Sequence, residues 1–136
     1  GNAGAKQPGM TGSVKEEILA RLGELGISAD AGQLSFSPSL LSEKEFLSKP
    51  ALFTYFDTNG QQKNLKLPAH SLAFTFCQVP VVYLRAESNS LQIEFSNGET
   101  AHIDGLRLDE NLSAKVFERN GKIAKLVVNL RDRAGL

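Results

Sequence analysis

The chain has 136 residues, 41% of them hydrophobic, so it is long enough for one domain with a real core and too short for two large ones. Its 15 Lys and Arg residues balance its 15 Asp and Glu residues, and the basic residues form no long run. No nucleic-acid partner and no anionic membrane partner is therefore predicted. The single cysteine, Cys77, cannot form an intrachain disulfide, and its apolar neighbours predict a buried small hydrophobe.

The first twelve residues contain four Gly and one Pro and almost nothing that a core could bury. Residues 1–12 are therefore predicted to be a disordered lead or a linker. Gly1 to Ser13 shows no basic start followed by an apolar run, so no secretory signal is predicted. The localisation stays open, and a single cysteine is compatible with the cytoplasm. Because the chain opens on Gly rather than Met, we expect it to be part of a longer protein.

A capping box predicts a helix over residues 13–26. The hydroxyl of Ser13 can cap the helix while Glu16 reaches back to it, and Gly26 supplies a left-handed stop. An apolar stripe follows at helical spacing, and it needs a partner, which is either the sheet of this domain or a helical neighbour. The candidate interface residues on this stripe are Ile18, Leu22 and Leu25.

Residues 27–136 are predicted to form a mainly β, β-sandwich-like domain. A turn at 30–32 leads into a short strand at 34–36, and Ser42 with Glu45 predicts one or two helical turns over 43–47. Residues 51–56 read as a strand with aromatic residues on both faces. The turn at 57–60 then leads into a strand over 61–67.

The longest stretch without a charged side chain runs from Leu67 to Leu84 and is predicted to be the centre of the core. Pro, His, Ser, Thr and Gln residues interrupt it too often for a membrane span, whereas two strands fit. Both faces of the second strand are apolar, which predicts that it lies between two layers. Pro68 and Pro80 cannot donate to a ladder, so they mark strand starts or edges.

Alternation of apolar and polar residues over 91–96 predicts a strand with one solvent-exposed face. Asn97-Gly98 predicts a tight hairpin into a strand over 100–103. Residues 110–118 are compatible with a short helix or with a strand, and the adjacent apolar residues Val116 and Phe117 favour the helix. A last strand is expected over 123–130.

No catalytic, cofactor or metal site is predicted. His70, His102 and Cys77 could bind a metal only if the fold assembled them, since none stands at a short ligand spacing. Ser71, His70 and Asp104 supply the residue types of a hydrolase triad without any positioning motif. Three aromatic residues are candidate sugar contacts, although aromatic side chains of β domains are more often core. They are Phe53, Tyr55 and Tyr83.

The order of elements is similar to one known family. An amphipathic helix ending in Gly is followed by segments 32–41, 71–83 and 91–98. This order resembles the C-terminal β domain of bacterial carbohydrate-active enzymes built on an (α/α)6 barrel, such as disaccharide phosphorylases and related glycoside hydrolases. The matching positions are Gly32, Leu34, Phe36, Pro38, Leu40, Leu72, Phe74 and Phe76. The chain departs from the family at 78–80, where Gln-Val-Pro replaces an aromatic-Arg-Gly segment.

The resemblance implies a non-catalytic accessory β domain that stabilises or docks on a helical catalytic barrel of the same parent chain. The catalytic carboxylates of that family lie in the barrel, and no position of this chain matches them. The parent would then be a glycoside hydrolase or a phosphorylase. The alternative is a free-standing β-sandwich module that binds a protein or a carbohydrate.

Overall fold

A computed structural model describes residues 25–38 and 46–131, and these residues form a mainly β domain. The predicted lead and most of the N-terminal helix, as well as most of the helical turn expected over 43–47, lie outside the described residues. The elements are β1 (Ile27–Asp30), β2 (Gln33–Phe36), β3 (Ala51–Phe56), β4 (Gln62–Leu67), β5 (Ser71–Phe76), β6 (Val79–Ala86), β7 (Ser90–Phe95), β8 (Thr100–Asp104), α1 (Glu110–Phe117) and β9 (Ile123–Arg131).

Five strands form one mixed sheet in the order β5-β6-β9-β7-β8. The pairing of β6 with β9 is parallel, and the other pairings in this sheet are antiparallel. The strands β7 and β8 and the helix α1 connect β6 to β9, because a parallel pair needs a long crossover. Two further antiparallel pairs, β1-β2 and β3-β4, form separate two-stranded sheets.

The two small sheets pack on opposite faces of β5 and β6. Alternate residues such as Phe74 and Tyr83 share the main core with Leu34 and Phe36 of β2 and with Val116 of α1. The residues between them point the other way, so Ala73 of β5 and Val82 of β6 pack in a second core with Phe53 and Leu67 of the β3-β4 hairpin. The prediction that the second strand of the 67–84 stretch lies between two layers is confirmed.

The two-residue turn between β5 and β6 corrects the prediction for Cys77. Its residues are Cys77 and Gln78, both with positive φ (52° and 64°), as a hairpin of this length requires. Cys77 is therefore half-buried in a turn rather than fully buried in a strand, although its side chain packs against the main core.

Pro80 occupies a position of β6 where no ladder hydrogen bond is lost. Phe76 and Val79 close the turn, so the next pair, Thr75 and Pro80, is a non-hydrogen-bonded pair of the β5-β6 ladder. The pairing of β6 with β9 begins one residue later, at Val81. The expectation that Pro80 marks a strand start is confirmed.

Residues 110–117 form a helix, which confirms the prediction made from the adjacent apolar residues Val116 and Phe117. Asp109 caps it, because its Oδ1 accepts a hydrogen bond of 2.7 Å from the backbone N–H of Leu112. The buried Ser113 Oγ accepts a hydrogen bond of 2.8 Å from the backbone N–H of Leu34. This bond ties α1 to β2 inside the main core.

Candidate functional site

Tyr83, in the middle of β6, joins the sheet to the segment just before β1. Its side chain is fully buried, and its hydroxyl donates a hydrogen bond to the backbone carbonyl oxygen of Leu25. The ring meets the rings of Phe74 and Phe36 edge-on, with centroid distances of 5.1 and 6.2 Å. Because burial favours the neutral phenol, the pKa of Tyr83 is raised well above its ordinary value.

The residue after Leu25 holds the chain close to the segment that follows β2. Gly26 has a φ of +75° and accepts a hydrogen bond of 2.7 Å from the backbone N–H of Ser37. A Cβ atom at Gly26 would lie 2.3 Å from the backbone nitrogen of Pro38. Only glycine, which has no Cβ atom, allows the two backbone segments to lie this close together. The left-handed conformation predicted for Gly26 is confirmed.

The predicted interface is corrected at Leu25. Its side chain is 2% exposed and belongs to the main core, so it cannot form a free surface for another protein. Periodicity placed Leu25 on the apolar stripe, and the sheet of this domain supplies its partner. Ile18 and Leu22 lie outside the described residues, so their part of the prediction remains a prediction.

The inner side of the β3-β4 hairpin covers one face of the large sheet. Phe53 is 1% exposed and packs against Val82 in the second core. The ring of Tyr55 stacks on that of Phe53, with centroids 5.8 Å apart and planes inclined by 18°. Partial burial, and then the nearby negative charge of Asp57, raise the pKa of Tyr55.

The outer side of the same hairpin faces solvent and carries two large apolar residues among polar ones. Leu52 and Phe56 alternate with the inner residues of β3, and they are 54% and 60% exposed. Between them the hydroxyl of Thr54 donates a hydrogen bond of 2.9 Å to Asn64 Oδ1 across the hairpin. Lys66 stands opposite Leu52 in the register. Strand β3 thus carries large apolar residues on both sides, and the described residues bury those on one side.

Two of the three candidate sugar contacts are wrong. Phe53 and Tyr83 are buried in the second core and the main core, so a sugar ring cannot stack on either from solvent. Tyr55 is half-buried at the edge of the hairpin, so its sugar contact stays a prediction. The sequence signal that marks the outer site is the presence of large apolar residues on both faces of 51–56.

The residue types of a hydrolase triad are not brought together. Ser71 lies in β5 and Asp104 in β8, at opposite edges of the five-stranded sheet, which are about 19 Å apart at the usual spacing between strands. The Ser71 hydroxyl donates a hydrogen bond of 2.7 Å to the carbonyl oxygen of Pro68. Asp104 instead accepts from His102, with Oδ1 and Nε2 3.2 Å apart.

Within residues 25–38 and 46–131, no group of three or more His, Cys, Asp or Glu side chains is arranged to hold a metal ion. In the same part of the chain, no helix has the length and apolar character needed to cross a membrane.

No known family model matches the sequence, and no curated protein is significantly similar to it. The two exposed apolar residues, Leu52 and Phe56, mark the outer side of the β3-β4 hairpin as the candidate site.

Proposed function

We propose that this chain is a non-catalytic accessory β domain, sandwich-like in architecture, that docks on a helical catalytic domain of the same parent protein. The observation that carries the proposal is the outer side of β3, where Leu52 and Phe56 are more than half exposed. Large apolar residues on both sides of a strand are typical of strands that lie between two layers. The hairpin therefore has room for a second apolar layer contributed by a neighbouring domain.

The chain at Leu25 and Gly26 is held to the β domain by several contacts. The side chain of Leu25 is in the main core, its carbonyl accepts from Tyr83, and the backbone at Gly26 lies against Pro38. The backbone at Leu25 and Gly26 is therefore fixed relative to the sheet. A fixed attachment suits a domain whose role is to stabilise a neighbour.

The resemblance described above makes the neighbour an (α/α)6 barrel of a carbohydrate-active enzyme. In that form of the proposal the barrel carries the catalytic carboxylates, and the β domain contributes stability. The isolated chain is then expected to fold and to turn over neither disaccharides nor aryl glycosides. Turnover that a single substitution within this chain abolishes would contradict the proposal.

The decisive experiment begins with the parent reading frame, which should encode several hundred residues of paired helices upstream of this chain. The upstream domain, expressed separately, is titrated with this chain, and the two apolar residues are replaced by the double substitution Leu52→Ser with Phe56→Ser. We expect the dissociation constant to rise at least tenfold, because the buried apolar area of the contact is lost. The control is Gln62→Ser, which changes a polar residue opposite Phe56 on the same side.

Two results would contradict docking through the outer side of β3. One is a parent gene without a helical domain, and the other is equal binding by the double variant and the Gln62→Ser control. The second result would place the contact on another surface of the β domain.

Carbohydrate binding by a free-standing module is the second candidate function, and Tyr55 is the residue that favours it. Its ring is half-buried and stacked on Phe53, so it is held rigidly at the edge of the hairpin. Rigid aromatic rings at a surface are suited to sugar stacking. Calorimetric titration with soluble oligosaccharides tests this function, and binding by the wild type that Tyr55→Ala abolishes would favour it over docking.

A further inference from the structure

Strand β8 ends the five-stranded sheet, and its outer edge has no strand partner among the described residues. Two hydrogen bonds fix which residues point toward that edge. Phe95 donates to the carbonyl of Glu99 (2.8 Å), and Gly105 donates to the carbonyl of Asn89 (3.0 Å). Both hydrogen bonds lie in register with the β7-β8 ladder.

Hydrogen-bonded and non-hydrogen-bonded pairs alternate along an antiparallel ladder. The backbone N–H and C=O groups of Ala101 and Ile103 therefore form the hydrogen bonds to β7. The backbone N–H and C=O groups of the other three residues then point outward from the sheet. These outward residues are Thr100, His102 and Asp104. An edge of this kind is a template for pairing with another strand.

The side chains of β8 are divided between the two faces of the sheet. Those of Thr100, His102 and Asp104 are exposed on its polar face. Ala101 and Ile103 are half-buried and pack against the main core. The strand thus presents a polar row and an apolar row to whatever pairs with it.

We infer that the edge of β8 pairs antiparallel with β8 of a second copy of this chain, with His102 at the centre of the pairing. In this register each outward residue faces an outward residue, so every outward N–H group meets a carbonyl group. Thr100 stands opposite the second copy's Asp104, and its hydroxyl can donate to that carboxylate. On the other face, Ala101 stands opposite the second copy's Ile103.

The second copy is the occupant because the strand is complementary to itself in this register. Polar residues meet polar residues, apolar residues meet apolar residues, and no like-charged carboxylates are directly opposite each other. The formal net charge of the chain is zero, so no overall repulsion keeps two copies apart. The pairing would join two five-stranded sheets into one continuous sheet.

The test is sedimentation equilibrium of the whole chain at pH 8 over a wide range of concentrations. The inference predicts a reversible monomer–dimer equilibrium. Thr100→Lys places a cation opposite the second copy's Asp104 and should tighten the dimer, whereas Thr100→Asp places a second carboxylate there and should weaken it. Since each dimer contains this pair twice, the two dissociation constants should differ about tenfold.

A backbone variant separates edge pairing from side-chain effects. His102→Pro removes an outward N–H group and leaves the ladder with β7 complete, which edge strands tolerate. We expect it to abolish the dimer, while the control His102→Thr retains it, with both variants keeping the wild-type circular dichroism spectrum. A chain that stays monomeric at all concentrations would overturn the inference. A dimer whose affinity is the same in Thr100→Lys and Thr100→Asp would also overturn it.

Discussion

The hydroxyl of Tyr83 donates a hydrogen bond to the backbone carbonyl of Leu25, a residue 58 positions earlier in the chain. Tyr83 lies in β6, between β5 and β9 of the large sheet, and it is fully buried. Leu25 lies two residues before the start of β1 at Ile27. The bond therefore anchors the beginning of the β domain directly to an inner strand of its sheet.

Replacing Tyr83 by Phe should destabilise the domain by about 1–3 kcal/mol. The substitution keeps the ring and its edge-on contacts but leaves the buried carbonyl of Leu25 without its donor. Urea unfolding at neutral pH measures the change. Tyr55→Phe is the matched control, because that side chain is only half-buried, and we expect a change within about 0.5 kcal/mol. Equal effects of the two substitutions would show that the Tyr83 hydrogen bond contributes nothing.

The stability advantage of the wild type over Tyr83→Phe should shrink above about pH 10. Burial raises the pKa of Tyr83 in the folded state above the value of about 10 that tyrosine has in the unfolded chain. At higher pH the unfolded chain therefore loses a proton that the folded domain keeps, and unfolding becomes more favourable. The expected loss is up to about 1.4 kcal/mol per pH unit. Unfolding of both proteins from pH 8 to 11.5 measures it, and a constant difference would contradict the burial of this phenol.

Gly26→Ala should destabilise the domain by about 3 kcal/mol or more, since it combines a strained backbone with a clash. The added Cβ would lie 2.3 Å from backbone atoms of Ser37 and Pro38. Gly98→Ala is the control, because Gly98 also has a positive φ but has open space around it. Its expected cost is about 1–2 kcal/mol from the backbone alone. Thermal or urea unfolding separates the two, and equal costs would mean that the close approach at Gly26 is absent in solution.

Local patterns in the sequence predict most of the strands. Aromatic residues on both faces identify β3, alternation identifies β7, and the Asn97-Gly98 pair identifies the turn into β8. The adjacent Val116 and Phe117 indicate α1 correctly. These signals work because each depends on residues that are neighbours along the chain. The strand β1 was not predicted, because three of its four residues are exposed and show no alternation.

Features that depend on distant residues could not be predicted. The parallel pairing of β6 with β9 places Val82 opposite Val127, and β-branched residues of this kind fit many registers equally well. Cys77 takes a positive φ although its residue type carries no turn signal, since the packing of β5 and β6 imposes the turn. Periodicity indicated the alternation around Tyr83, whereas its hydroxyl partner at Leu25 has no local signature.

The candidate site was predictable in part. The aromatic residues on both faces of 51–56 signalled a strand with two apolar sides, and the structure shows which side its own domain covers. Sequence alone could not show that Phe53 is buried and Phe56 exposed, because residues of the same type occupy the two sides of one strand. That division depends on how the hairpin lies against Ala73 and Val82.

The central claim is that the outer side of β3 is a docking surface for a partner and not part of the core of its own domain. Comparing Phe53→Ala with Phe56→Ala in the isolated chain tests this claim most directly. Urea unfolding gives the free energy of both variants. Phe53→Ala should cost about 3–5 kcal/mol, because it empties a packed aromatic site, whereas Phe56→Ala should change stability by less than about 0.5 kcal/mol. Similar large losses for both variants would contradict the account, since Phe56 would then belong to the core of its own domain.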